Sequence, residues 1–184
     1  MNNIAFIDLE IDGRGKIVDA GAVKAGKSIH TSRIADFVSF ISDADFLCGH
    51  NVIEHDYKYL KPFLTKEYKL IDTLYLSPLL FPRKPYHRLL KDDKLLSDEL
   101  NNPLNDAVKA KELFEDEVNA FRDIDKRMQQ IYYDLTVEDV HFNSIFDYLG
   151  YSPEWRPFFL KKAAADNVKE ALDGKICANA DVND

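Results

Sequence analysis

Apolar residues in the first half of the chain come in short runs separated by polar or glycine-containing breaks. Ile4 to Leu9 is one such run and predicts a short buried strand; Lys16 to Val23 predicts a second, with Gly13 and Gly15 in the turn of a hairpin. Ser28 to Ser32 fits a third strand. From Ile34 to Ile41 the apolar positions recur at helical spacing, and Phe46-Leu47-Cys48-Gly49 then reads as another buried strand. Residues 53 to 61 are expected to be helical and Lys69 to Ile71 a strand. A helical turn from Asp72 to Ser77 follows, which Pro78 is expected to stop.

The second half is helical in pattern. Pro82 and Pro85 bracket a connector, after which His87 to Leu90 and Leu95 to Leu100 are expected to form brief helical turns. Asn102 is a good N-cap and Pro103 suits a first helical position; Leu104, Ala107, Val108, Ala110 and Leu113 then recur at helical spacing. From about Val118 to Leu172 further helices are expected, broken near Gly150 to Pro153 and around Pro157. The small, polar residues after Gly174 read as a frayed end or linker. Strands first, helices interleaved and a helical C-terminus imply a sheet layered with helices.

Composition narrows this further. A chain of 184 residues with 46% hydrophobic residues, including twelve Phe and nine Tyr, is large enough for one sizeable core. One domain is therefore expected over residues 1–174, with 175–184 as the tail. No apolar run approaches a membrane span, and the first ten residues do not have the basic start of a secretory leader, so a cytoplasmic protein without membrane partners is expected. With Cys48 and Cys177 alone, neither a disulfide framework nor a four-cysteine zinc site can be built. The formal charge of −8 argues against phosphate binding, unless cations sit on clustered carboxylates. The cations Arg83, Lys84, Arg88 and Lys91 are concentrated in one segment, which reads either as a solvated face or as a phosphate track.

Candidate chemistry starts at the first strand. Asp8 and Glu10, two apart, leave the same face and can share a hard cation such as Mg²⁺ or Mn²⁺. Ile7-Asp8-Leu9-Glu10 followed by Lys16 to Val23, ending in Gly21-Ala22-Val23, resembles the first motif of DnaQ-like (DEDD superfamily) 3′-to-5′ exonucleases. Gly49-His50-Asn51 leading to Asp56 resembles the second, with a His-to-Asp spacing of six where many members have five and others six. Leu70-Ile71-Asp72-Thr73-Leu74 resembles the segment between the second and third motifs, and Asn105-Asp106-Ala107 running to Phe114 is similar to the third-motif helix. The likeness covers about residues 4 to 114. His87 and Asp92 also have the family's third-motif spacing, but the capped amphipathic helix favours Asp106.

The resemblance implies a ribonuclease H-like α/β fold, a mixed sheet flanked by helices with a helical extension over 115–174. It also implies metal-dependent hydrolysis of nucleic-acid phosphodiesters with two Mg²⁺ or Mn²⁺ ions. Asp8 would bridge both ions, Glu10 and Asp106 would hold the one that activates water, and Asp56 would support the other. Leu9, His50 and Asn51 would contact substrate. Asn101 stands where the family usually places its catalytic His, and that departure favours a second possibility, a nucleic-acid-binding module that cuts weakly or not at all. The sequence around Asp72 and Asn101 is also similar to exonuclease domains fused to RecQ-like helicases, so a helicase domain in the same full-length chain is a further expected partner. Other readings stay open: Asn51 as a cap for the helix carrying Asp56, His55 as a surface residue or substitute base, Asp72 as a helix start, and Trp155, Phe158 and Phe159 as core.

Overall fold

The computed structural model describes residues 3–89 and 102–152. Expectations for Leu90, Lys91, Asp92, the 95–100 turn, Asn101, the Trp155–Phe159 aromatics and the tail after Gly174 fall outside these residues. The chain divides into two compact units, residues 1–119 and 120–184.

The first unit is built on a five-stranded mixed sheet in the order β3-β2-β1-β4-β5. β1 (Ile4–Ile11), β2 (Ile17–Lys24) and β3 (Lys27–Thr31) form an antiparallel meander, and β4 (Phe46–Gly49) and β5 (Lys69–Asp72) extend it in parallel from β1. Helix α1 (Ile34–Ile41) connects β3 to β4, and α4 (Pro103–Asp123) begins in this unit. This is the mixed sheet flanked by helices of the ribonuclease H-like class. Among the described residues no helix is long and apolar enough to cross a membrane.

Alternation along β1 divides the core. Ala5, Ile7 and Leu9 point to one face, where they join Phe37 and Ile41 of α1, Leu47, Val52 and Leu60 in a continuous buried cluster. Phe6, Asp8 and Glu10 leave the opposite face, and there the Phe6 ring lies 5.7 Å from that of Phe114 on α4. Gly21 pairs with Asp8 across the hairpin. A Cβ at Gly21 would come within 2.2 Å of the Leu104 nitrogen, so only glycine lets the start of α4 rest on β2 at that point.

Two expectations fail locally. Pro78 lies inside α3 (Thr73–Leu80) rather than ending it. The eight-residue helix starts from the Asp72 side chain, buries Leu76 and Ser77, and closes with Phe81 N–H donating to Ser77 O at 2.8 Å, so the single N–H that proline lacks is tolerated. Residues 87–89 are not helical, because the His87 ring bonds Ser77 and the Leu89 N–H donates to His50 instead of to a helical carbonyl. On α4 the buried stripe is Ala107, Ala110, Phe114, Glu117 and Val118, while Val108 is exposed.

In the second unit, α5 (Lys126–Thr136) and α6 (Asn143–Leu149) pack through aromatic rings: Tyr133, Phe146 and Tyr151 lie with centroids 4.9–6.1 Å apart. The Gln129 amide donates to the carbonyls of Phe121 and Ile124, closing the turn before α5. Asp125 caps α5 by accepting from Met128 N.

Candidate active site

Parallel pairing of β1 with β4 ends at Phe6 and Cys48. Beyond it, the Leu9 N–H donates to Asp56 Oδ1 at 2.9 Å, which ties the second acidic segment to the first. Asp56 closes a π-helical turn, Val52–Asp56, that continues into α2 (Tyr57–Leu60). A π turn holds one residue more per hydrogen-bonded loop than an α turn and recurs at functional sites. It accommodates the six-residue step from His50 to Asp56. The turn is entered through Asn51, which adopts the left-handed conformation at φ 66, and Gly49 is fixed by space, since a Cβ there would meet the Ile7 carbonyl at 2.7 Å.

Asn51 makes no side-chain capping bond. Asp72 takes that role from across the sheet: its Oδ1 accepts from Asn51 N at 2.8 Å and from Leu74 N at 3.0 Å, and its Oδ2 accepts from Ile53 N at 3.0 Å. Asp72 therefore starts α3, as one reading of the sequence had it, and also caps the turn that presents Asp56. Asn102 caps α4 as expected, accepting from Leu104 N at 3.0 Å, and this places Asp106 in the helix's first turn.

These elements bring the segments together around a cavity of about 650 Å³. Asp8 and Glu10 from β1, Asp56 from the turn and Asp106 from α4 all line it, together with Leu9, His50, Asn51, His55, Arg88 and Leu89. Every described residue assigned a site role from sequence is on its wall. Ile11, Leu74, Arg88 and Leu89 are additions; Arg88 had a signal in the basic cluster, Ile11 and Leu89 had none.

Electrostatics differ among the wall residues. Burial pushes the Asp56 carboxyl up, opposed by the neighbouring His55 and by the Leu9 N–H. The buried Asp56 carboxylate raises the half-exposed His55, whose Nδ1 lies 3.8 Å from Asp56 Oδ1. Burial lowers His50 to about 4, so it is neutral at pH 7. Its Nδ1 is 2.9 Å from Thr73 Oγ1, which donates to Gly49 O, and its Nε2 accepts from Leu89 N at 3.3 Å. That network assigns the ring proton to Nδ1 and uses both nitrogens structurally.

All four acids offer oxygen donors, the set that suits Mg²⁺ or Mn²⁺. Among the described residues, no three His, Cys, Asp or Glu side chains are gathered closely enough to hold a metal ion. Mg²⁺ is usually held by one or two carboxylates, retained waters and substrate phosphates rather than by an all-protein cage, so the oxygen donors of the four acids still fit that group. Comparisons with protein-family models, with curated proteins and with solved structures found no match.

Proposed function

We propose that the chain is a metal-dependent nuclease that hydrolyses nucleic-acid phosphodiesters in the carboxylate cavity. The 3′-to-5′ direction comes from its resemblance to the DnaQ-like exonucleases. One observation carries the reading: acids from three separate segments, Asp8 and Glu10, Asp56, and Asp106, line the same cavity. Acids lining one space disfavour a phosphate unless cations intervene, and one or two of these carboxylates, with retained waters and the substrate phosphate, would hold such a divalent ion. Bound there, such ions lower the pKa of a water and neutralise charge on the scissile phosphate.

The chain's own residues have separable tasks. The Leu9 N–H fixes one oxygen of the buried Asp56 carboxylate. Arg88 supplies the wall's guanidinium, a group suited to bidentate phosphate contact. His50, neutral and bonded at both nitrogens, anchors the segment carrying Arg88 and does not serve as the base. His55, raised by Asp56, is the wall's remaining imidazole.

A second reading, a binding module without turnover, is favoured by Asn101 at the family's histidine position. The two separate in an assay with labelled DNA and RNA, with and without Mn²⁺. The nuclease reading expects Mn²⁺-dependent cleavage that Asp8→Asn abolishes while the melting transition is preserved. Full activity in Asp8→Asn would remove the metal mechanism; binding without cleavage in the wild type would establish the module.

A further inference from the structure

A second cavity, of about 500 Å³, shares Arg88 and Leu89 with the carboxylate cavity, so the two adjoin along the 81–89 segment. Its wall has the opposite character. Lys84, Arg88 and Lys109 supply positive charge and Pro85, Leu89 and Leu113 supply apolar surface, where the first cavity has Asp8, Glu10, Asp56 and Asp106. Tyr86 also lines it and is 80% exposed, the most exposed large hydrophobic side chain described in the chain.

The segment is held at two points. Ser77 Oγ and His87 Nδ1 are 2.9 Å apart, and Leu89 N donates to His50 Nε2. Lys84 is fixed locally, its N–H donating to Phe81 O at 2.9 Å and its Nζ lying 4.0 Å from the Phe81 ring centroid. Tyr86 and Arg88 are thus presented from an anchored stretch of chain, which lowers the ordering cost of binding.

From these observations we infer that the second cavity holds the nucleotide next to the scissile one in a single-stranded nucleic acid, its base against Tyr86 and its phosphate among Lys84, Arg88 and Lys109. The inference rests on the carboxylate cavity being the hydrolytic site. A phosphate leaving the four acids meets the change of sign at Arg88, in a chain whose net charge is −8. An aromatic ring at the rim stacks on an unpaired base of any sequence, whereas in a duplex the base faces are already covered.

The test is fluorescence anisotropy in Ca²⁺ buffer with labelled single-stranded DNA, single-stranded RNA and a blunt duplex, the integrity of each probe being checked afterwards. Tyr86→Ala is expected to weaken both single strands by about 5- to 150-fold, the usual worth of one stacked base. Tyr86→Phe is expected to retain the affinity. Lys84→Gln and Lys109→Gln should each reduce the slope of log K against log salt by about 0.7, one phosphate contact. Single-strand affinity within twofold of wild type in Tyr86→Ala, an equal loss on the duplex, or no single-strand binding by the wild type would each overturn the subsite. Cleavage in Mn²⁺ by a wild type whose variants bind unchanged would discard the subsite and keep the nuclease. The expected binding losses in a protein that never cleaves would keep the subsite and discard the nuclease.

Discussion

At the end of β5, the Asp72 carboxylate is closed off from water and surrounded by the N–H groups of Asn51, Ile53 and Leu74. On α4, Glu117 is equally buried, yet neither of its oxygens has a hydrogen-bond partner among the described residues. Burial raises both groups. For Asp72 the three N–H donors oppose that rise. For Glu117 burial comes first and the nearby Asp72 charge adds to it, with Lys84 opposing, and the carboxyl is pushed up to about 9. A buried acid can be accommodated by donors that stabilise its charge or by giving up the charge. Asp72, in the first case, organises the turn beside the candidate site. Glu117, in the second, is a standing cost within the helix that carries Asp106.

The largest expected effect comes from removing the satisfied acid. Asp72→Ala leaves three part-buried backbone N–H groups without their acceptor, each costing about 1–3 kcal/mol at full burial, so a loss of about 3 kcal/mol is expected in urea denaturation. Hydrolysis should fall with it, because the turn presenting Asp56 loses its cap. A variant as stable as wild type would show that water or neighbouring groups replace the carboxylate, and the comparison with Glu117 would lose its basis.

The difference between the two acids also marks what the sequence could disclose. Apolar runs set β1, β2 and β4, and the helical spacing of Ile34–Ile41 matches α1, because burial of one face or both leaves a direct trace in residue type. Asp8 and Glu10 were legible in the same way, as charges ending an apolar strand, whereas Asp56 and Asp106 came from the resemblance to the exonuclease motifs. Asp72's second role was not, since its partners Asn51 and Ile53 are backbone N–H groups on a distant segment, and backbone donors leave no mark in sequence. His50's anchoring of Leu89 was hidden for the same reason. Glu117 did leave a trace, a charged residue on the stripe with Ala107, Ala110 and Phe114, although Val108, one of the apolar positions read at helical spacing, is exposed.

Next in size is the unsatisfied acid. Glu117 has its folded pKa raised from 4.5 to about 9, so between those values the unfolded chain gives up a proton that the folded chain keeps. Its contribution to stability is intact below pH 4.5 and is lost progressively as pH rises towards 9. At pH 7 the loss amounts to about 3 kcal/mol, from 1.36 kcal/mol per pKa unit. Glu117→Gln, near-isosteric and without a proton to lose, should therefore be about 3 kcal/mol more stable than wild type at pH 7 and no more stable at pH 4. Denaturation at the two pH values reads this directly, and a variant with the wild-type pH dependence would assign the slope to another group.

His50 sharpens the comparison because it combines the two strategies: like Glu117 it is held neutral, and like Asp72 its polar atoms are bonded, to Thr73 and Leu89. Its folded pKa is lowered from 6.5 to about 4 by burial, so above pH 6.5 both folded and unfolded chains carry it neutral and no stability is lost. As pH falls from 6.5 towards 4 the unfolded chain takes up a proton that the folded chain refuses, and stability declines over that window. His50→Ala removes two hydrogen bonds, each worth about 0.5–1.5 kcal/mol net, and is expected to be about 1–3 kcal/mol less stable at pH 7.5. It also removes the acid-side decline, so the deficit should shrink and then reverse as pH is lowered towards 4. Melting curves across this range, with hydrogen exchange at the Leu89 amide as a local readout, decide the point. A deficit that stays constant with pH would mean that His50 is protonated in the folded chain, and the shared anchoring of Leu89 through a neutral ring would have to be given up.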